Sequence, residues 1–530
     1  MSDFPTLAEF DVLVVGGGIN GAGIARDLAG RGQRVLLCEQ DDLASHTSSS
    51  STKLIHGGLR YLEHGEFTLV RKALAERERL LRSAPHIMWP LRFVIPQDRP
   101  HDPDHASLRP AWLIRLGLFV YDHLARRTWL PDSRRVDLRT HVAGTALQRR
   151  FRQGFIYSDG WVDDARLVVL TAIDAAARGA TVLTRWRCVD AQRGADQWRL
   201  TLRSAAGETR QVSARALVNA AGPWAAQFLG EHAHVPHPRS LRLVKGSHIV
   251  VKKLFDHDHA YLLQAADRRV VFAIPYEGEF TLIGTTEVEH TEALGDAHIS
   301  EAEVAYLCEQ VSRCFERPVV PPDVVWSYAG VRPLLEDGAD DAAAVTRDYA
   351  LELDTQGAAA QQPGAPLLSV WGGKLTTFRK LAEEAADLLS APLNIASGAW
   401  TANATLPGGD LSATIGPADR PDADFARFLR VLAVRHPEVP AAVLQRWARG
   451  YGSRVALLFT PKGLGLEVAP GLFEAELHCL HDHEWARTAD DVLWRRTKLG
   501  LHLRPAQRDA VARWCEAHWG VPGDALRPPG

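Results

Sequence analysis

Cysteine is sparse and scattered: Cys38, Cys188, Cys308, Cys314, Cys479 and Cys515 never form a C-x-x-C pair. That spacing gives no disulfide framework and fits a reducing compartment. Lysine is rarer still, because nine of the 61 basic residues are lysine and 52 are arginine. No window approaches the ~18 uninterrupted apolar residues of a spanning helix, so any membrane contact is expected to be peripheral. The N-terminal stretch MSDFPTLAEFD carries acids where a signal peptide has a basic region, so a cytoplasmic location is expected. A formal net charge of −3 argues against a general nucleic-acid binder. At 530 residues the chain exceeds one core, and two or three domains are expected.

What is present is a nucleotide-binding pattern. Phe10 to Ala44 reads FDVLVVGGGINGAGIARDLAGRGQRVLLCEQDDLA. Asp11 to Val15 is a short apolar run of strand type, Ile19 to Ala29 is helical in character, and Glu39 closes a second apolar run, Val35 to Cys38. Gly16, Gly18 and Gly21 satisfy G-x-G-x-x-G, which with the spaced acid is the arrangement that binds a dinucleotide. Gly16 is expected to permit the tight turn, Gly18 to admit a pyrophosphate to the backbone, and Gly21 to let helix and strand pack closely. Phosphates would sit by Gly17, Ile19 and Asn20, where the free N–H groups and the helix dipole favour negative charge. Glu39, beside Gln40, is placed for an adenosine ribose.

The Ser/Thr run from Thr47 to Thr52 is read as a cofactor loop rather than a flexible linker, because it follows the ribose acid and leads into a Gly-Gly turn. Its candidates are Thr47, Ser48, Ser49, Ser50, Lys53, Leu54, His56, Gly57 and Gly58. Phe67 to Leu81 is an amphipathic helix for packing, and Trp161 to Ala177 reads as another helix. PAWLIRLGLFVYDHLARRTWLP interleaves aromatics with Arg109, Arg115, Arg126 and Arg127. It suits either a bilayer headgroup boundary or a core helix whose arginines snorkel. The apolar strand ending at Ala221 and Gly222 suggests close passage of a bulky ligand, and alternating strands from Leu241 suggest a sheet-based substrate unit. A second glycine loop, with Gly373, Lys374, Leu375 and Thr376 opening a helix, offers another N-terminus to an anion or electron-rich ring. Lys53, Lys245, Lys374 and Lys380 all fall in such motif-like stretches, a hint that a compact ammonium is wanted there. The cluster HCLHDH (His478, Cys479, His481, His483) is read as ordinary helix polar positions, since His481 and His483 do not share a helix face. No metal site is expected.

With VVGGGINGAGIARDLAGRG, SSSSTKLIHGGLRYLEHGEF, YDHLARRTWLP, YSDGWVDDARLV, LVNAAGPWA, KGSHIVV, IGTTEVE, YAGVRPL, VTRDY, GGKLTTFRKLAE and HEWARTADDVLWRRTKLG in collinear order, the chain resembles the FAD-dependent (aerobic, respiratory) sn-glycerol-3-phosphate dehydrogenases of bacteria. The resemblance runs from about Phe10 to about Leu503. It implies an α/β, D-amino-acid-oxidase-like fold: a Rossmann-type FAD domain (1–90, 150–235 and 355–395), an antiparallel-sheet substrate domain (91–149 and 236–354) and an all-helical C-terminal domain (400–530). It also implies oxidation of glycerol 3-phosphate to dihydroxyacetone phosphate, with electrons leaving FAD for ubiquinone or menaquinone. A homodimer attached peripherally to the cytoplasmic membrane is expected. Arg332 and Arg347 are then the phosphate ligands, with Arg60, Tyr61 and Thr285 completing the substrate cradle. His248 is expected as the base, with His56 its rival, and Lys374 as a positive charge near the flavin edge or substrate oxygen. An oxidase giving peroxide, an amine or amino-acid oxidase, and a non-catalytic FAD-binding regulator are the alternatives.

Overall fold

The computed structural model describes residues 8–97, 109–236, 239–265, 267, 269–295, 297–335, 348–356 and 363–520. Strand β1 (Ala8–Val15), helix α1 (Ile19–Gly30) and strand β2 (Val35–Glu39) open the chain. β1 runs parallel to β2 and to Thr209–Asn219, which is itself parallel to Pro363–Trp371, and β2 is parallel to Thr181–Thr184. Parallel strands of this kind are covered on both faces and must be apolar on both. Accordingly every residue of β2, VLLCE, is buried. Antiparallel strands complete the sheet, Ala350–Gln356 on one side and the meander Trp186–Arg193, Trp198–Ser204, Thr209–Asn219 on the other. Helices Asp164–Ala177 and Phe378–Leu393 pack on α1. Small residues set how close they come: a Cβ on Gly23 would already touch the Phe378 ring at 3.0 Å.

A second, ten-stranded sheet is antiparallel but for one pairing, Ala260–Gln264 alongside Met88–Gln97. Its long strands Leu241–Lys252 and Val324–Leu335 set Val244 opposite Arg332 and His248 between Gly284 and Tyr328. Gln153–Val162, counted above with the nucleotide segments, pairs with Met88–Gln97 in this second sheet, and Leu54–Ile55 joins it too. The helix expected from Trp161 therefore starts later, at Asp164. Sheet pairing holds Trp161 and Val162, and the Asp163 side chain caps the helix by accepting from the Arg166 N–H.

From Leu411 the chain folds round a separate core that includes Phe428, Trp447, Leu477 and Leu480, supplied by Pro421–Arg435, Ala441–Tyr451 and Glu474–Glu484. This unit is helical except for a short hairpin, Glu467–Ala469 with Leu472–Phe473. Its His478 and His481 pack on Trp514 and Trp519. The aromatic stretch forms helix Ala111–His123, anchored by Ile114, Leu118 and Tyr121. Its other apolar side chains point outward, with Trp112 68%, Leu116 52% and Phe119 51% exposed. Among the described residues no helix is long and apolar enough to cross a membrane.

Candidate active site

The two glycine loops meet. Gly16 has φ +108°, and a Cβ there would lie 2.5 Å from the Ala220 carbonyl oxygen. A Cβ on Gly21 would overlap the Gly16 carbonyl outright, so α1 can lie this close to β1 only with glycine at that position. The Asn20 side chain donates to the Gly372 carbonyl at 3.1 Å and ties the first loop to the second. Glu39 is oriented from both sides, accepting from the Gly17 N–H at 2.6 Å and the Asp41 N–H at 2.8 Å. Burial pushes its carboxyl up from the ordinary 4.5, and these two N–H groups work against that.

Between the loops lies a cavity of about 780 Å³, a size suited to a cofactor with a small substrate. Of the residues singled out by sequence, Gly16, Gly18, Ile19, Asn20, Glu39, Gln40, Thr47, Ser48, Ser50, Leu54, His56, Gly58, Tyr61, Ala221, Gly222, Thr285, Arg332, Gly373, Lys374, Leu375 and Thr376 line it. Gly17, Gly21, Ser49, Lys53, Gly57 and His248 do not. Arg347 and the side chain of Arg60 lie outside the described residues.

The exceptions have physical reasons. Lys53 turns inward, its Nζ on Asp164 Oδ1 at 2.7 Å and on the Ser49 carbonyl at 3.1 Å, with neither charged side chain more than 1% exposed. Asp164 also accepts from the Ser51 N–H and hydroxyl at 3.2 and 2.7 Å, so the Ser/Thr run is wound round a buried ion pair. Lys53→Met, which strands the carboxylate, is expected to lower unfolding free energy by about 3 kcal/mol, measured by urea denaturation. Gly57 is held by packing: its N–H donates to the Tyr121 hydroxyl at 2.8 Å, and a Cβ would strike Leu74 at 2.6 Å. Lys245 pairs with Glu303 at 3.0 Å and Lys380 with Glu383 at 2.7 Å. Of the four motif lysines only Lys374 faces the cavity, its Nζ 3.8 Å from the Tyr61 ring centre.

His248, expected to face the substrate, lies one layer behind the wall. It is 1% exposed, stacks on Tyr328 at 4.8 Å, and its Nε2 is 3.0 Å from Thr52 Oγ1, which does line the cavity. Burial, reinforced by Arg332 and Lys53, holds its pKa well below 6.5. His56 opens directly onto the cavity. Its N–H donates to Thr376 Oγ1 at 3.2 Å, and burial lowers its pKa while Asp159 opposes the shift. Arg332 projects where Gly246 leaves room for its guanidinium. Its Nη2 donates to Thr285 Oγ1 at 3.0 Å, and its Nη1 is 3.4 Å from Glu287 Oε1.

Thr52, the end of the run read as a cofactor loop, is the hydroxyl that joins His248 to the cavity. Other wall residues carried no such signal in the sequence. Trp186, Arg187 and Cys188 also line the cavity, because Thr184 sits opposite Glu39 and the chain continues past the acid. Trp224 lines it as well and packs on His46 at 4.7 Å. The strand from Trp186 was legible as a strand, but only the register of Thr181–Thr184 beside β2 brings Trp186, Arg187 and Cys188 to the cavity.

The donor set fits FAD: a helix N-terminus at Ile19, an oriented acid at Glu39, and a second helix start at Lys374 on the same cavity. The sequence matches the FAD dependent oxidoreductase family over residues 11–379. It matches the C-terminal domain of alpha-glycerophosphate oxidase over residues 399–518. It is 50% identical over 517 residues to a glycerol-3-phosphate dehydrogenase of Pseudomonas aeruginosa, covering 97% of this chain and 96% of the relative. It is 48% identical over 509 residues to a D-erythritol 1-phosphate dehydrogenase of Brucella abortus, covering 95% and 97%. The fold superposes on the crystal structure of a glycerol-3-phosphate dehydrogenase from Bacillus halodurans complexed with FAD, with TM-score 0.76, 27% identity and coverage of 97% and 91%.

Proposed function

The chain belongs to the FAD dependent oxidoreductase family, and from that premise we propose that it oxidises the secondary alcohol of sn-glycerol 3-phosphate to dihydroxyacetone phosphate. The observation that carries the reading is one cavity shared by both glycine loops, Arg332 and Lys374. Bound FAD would accept the hydride from the alcohol carbon. Gly18, Ile19, Asn20 and Glu39 would hold its phosphates and ribose, and the loops at Thr47–Ser50 and Gly373–Thr376 its remainder.

The chain's own groups bind and orient. A dianionic phosphate suits a planar guanidinium fork, and Arg332 offers one that Thr285 steers. Arg347 and Arg60 belong to the same phosphate cradle in this reading. Lys374 at a helix start would stabilise negative charge developing on the substrate oxygen or flavin edge. The alcohol proton would pass to Thr52 Oγ1 and from there to His248 Nε2, which stays neutral at working pH because of its lowered pKa. Thr52→Val and His248→Ala are then expected to slow flavin reduction to a similar extent, about a hundredfold in stopped-flow mixing. Full speed in Thr52→Val would return the role to His56. The pH profile of reduction carries the same sign: no step assignable to His248 falls between pH 6.5 and 8, and the rate declines only on the acid side, as protonation of His248 removes the acceptor.

The Brucella relative at 48% identity supports a second reading, a four-carbon polyol phosphate as substrate. Comparing kcat/KM for sn-glycerol 3-phosphate and D-erythritol 1-phosphate separates the two, and a higher value for the longer substrate would overturn the first. Ubiquinone or menaquinone as acceptor, peripheral attachment to the cytoplasmic membrane and a homodimer complete the proposal. The outward Trp112, Leu116 and Phe119, with Arg115 exposed beside them, support the membrane contact. Trp112→Ser with Phe119→Ser is expected to weaken binding to anionic vesicles by about tenfold or more in co-sedimentation. Measuring quinone reduction against peroxide yield distinguishes the dehydrogenase from an oxidase. The same reading divides the chain into a discontinuous cofactor unit, a substrate unit that takes in strands 54–55, 88–97 and 153–162, and the C-terminal unit from 400 onward.

A further inference from the structure

The helices past Gly409 supply none of the cavity wall among the described residues, yet one of their segments holds residues that flank or back it. Arg496 sets Nη1 on Asp42 Oδ2 at 2.7 Å and Nη2 on Oδ1 at 2.8 Å, and Arg495 Nε reaches Oδ2 at 2.6 Å. The side chains of Arg496 and Asp42 are 0% and 1% exposed. A bidentate guanidinium fixes both the position and the plane of a carboxylate. Asp42 stands three residues beyond Glu39, at the head of the segment that turns along the cofactor cavity from Ala44 to Thr52. Its own carbonyl accepts from the Ser45 hydroxyl at 2.8 Å, and the Ala44 N–H reaches the Gly17 carbonyl at 3.4 Å.

The same segment, Asp491–Arg496, also reaches the layer packed behind the cavity wall. Trp494 stacks on Trp326 at 4.8 Å and 16°, Trp326 meets Tyr328 at 5.1 Å, and Tyr328 stacks on His248. The Tyr328 hydroxyl donates to the Ser51 carbonyl at 2.8 Å, which closes a loop of contacts back to the Ser/Thr run. Asp491 adds a third hold, accepting from Arg185 at 2.7 Å, just before the strand whose residues Trp186–Cys188 line the cavity. Attaching a helical unit needs only apolar surface, because desolvating several charges offsets much of their attraction. With Arg495 also paired to Asp491, the largely buried Arg185–Asp491–Arg495–Asp42–Arg496 chain is instead a way of fixing where each member sits.

We propose that the C-terminal unit is a positioning element for the cofactor, holding residues 42–52 in their FAD-binding arrangement through the Arg495/Arg496 grip on Asp42. This rests on FAD binding alone and is independent of which alcohol is oxidised. The test is FAD release from the full-length holoenzyme, followed as flavin fluorescence across a dilution series, with the unfolding temperature recorded alongside. Asp42→Asn keeps the side-chain shape and removes the charge; its Kd for FAD is expected to rise about tenfold or more. Arg496→Lys, which keeps the charge and loses the fork, is expected to give a smaller rise in the same direction. If the contact only attaches the unit, the unfolding temperature falls while the Kd stays within about twofold of the parent, and the proposal is overturned. Should Asp42→Asn not fold, the Arg495→Lys/Arg496→Lys double variant takes its place: a raised Kd supports the positioning role and an unchanged one rejects it.

Discussion

Arg332→Ala is expected to lower kcat/KM for sn-glycerol 3-phosphate by about a thousandfold, while the purified enzyme stays yellow. The size follows from removing one partner of a desolvated, hydrogen-bonded charge pair, which costs about 2–5 kcal/mol; a thousandfold is about 4 kcal/mol. The guanidinium is not a surface charge that happens to face inward. Gly246 leaves the space it fills, Thr285 takes one of its N–H groups, and Glu287 flanks it. Lysine in its place keeps the charge and loses the fork, so it should recover only part of the loss. The split between constants is informative. If Arg332 grips the phosphate equally in ground and transition states, KM rises and kcat holds; if its grip strengthens during reaction, kcat falls too. An unchanged KM and kcat would remove Arg332 from the phosphate site.

Gly21→Ala carries the other large effect. A Cβ at this position overlaps the Gly16 carbonyl, which belongs to backbone and cannot swing aside like a flexible side chain. Either α1 lifts from β1 or the glycine turn opens, and both move the Ile19 N–H and the Gly17–Glu39 hydrogen bond, which are proposed to organise the phosphate and ribose ends. Flavin content of the purified variant is expected to fall to about a tenth of the parent or less, measured by absorbance after heat release. Gly32→Ala is the control for a bare loss of glycine, since nothing lies within 4 Å of a Cβ there, although its φ of +87° adds some backbone strain.

These contrasts explain what could be read from the chain alone. The first glycine loop with Glu39, and the second loop, are local signals: turn, helix start and acid fall within one strand–helix–strand unit from Gly16 to Glu39, the second loop opens its own helix, and chemistry at that spacing has few other uses. Residue type, by contrast, misled at Lys53. A lysine in a Ser/Thr loop after a ribose acid looks like a cofactor contact, but its partner Asp164 lies 111 residues away and nothing in the local sequence announces it. His248 shows the limit set by register. One strand position decides whether a side chain faces the cavity or the layer behind it, and pairing with Gly284 and Tyr328 turned this one away. The aromatic helix left two readings open because composition does not say which side the core is on. Ile114, Leu118 and Tyr121 took the core, which left Trp112, Leu116 and Phe119 outside. Nothing in the local sequence marks Asp42, whose two arginine partners lie more than four hundred residues later.

On the proposed function, a phosphorylated secondary alcohol gives its hydride to FAD in the cavity between the glycine loops. The most direct measurement is the flavin absorbance of the holoenzyme under anaerobic conditions, titrated with sn-glycerol 3-phosphate and, separately, with glycerol. The phosphate ester is expected to bleach the oxidised-flavin absorbance, and glycerol at the same concentration to leave the spectrum yellow. A flavin that stays oxidised with the ester, or bleaches equally with both, would contradict this function.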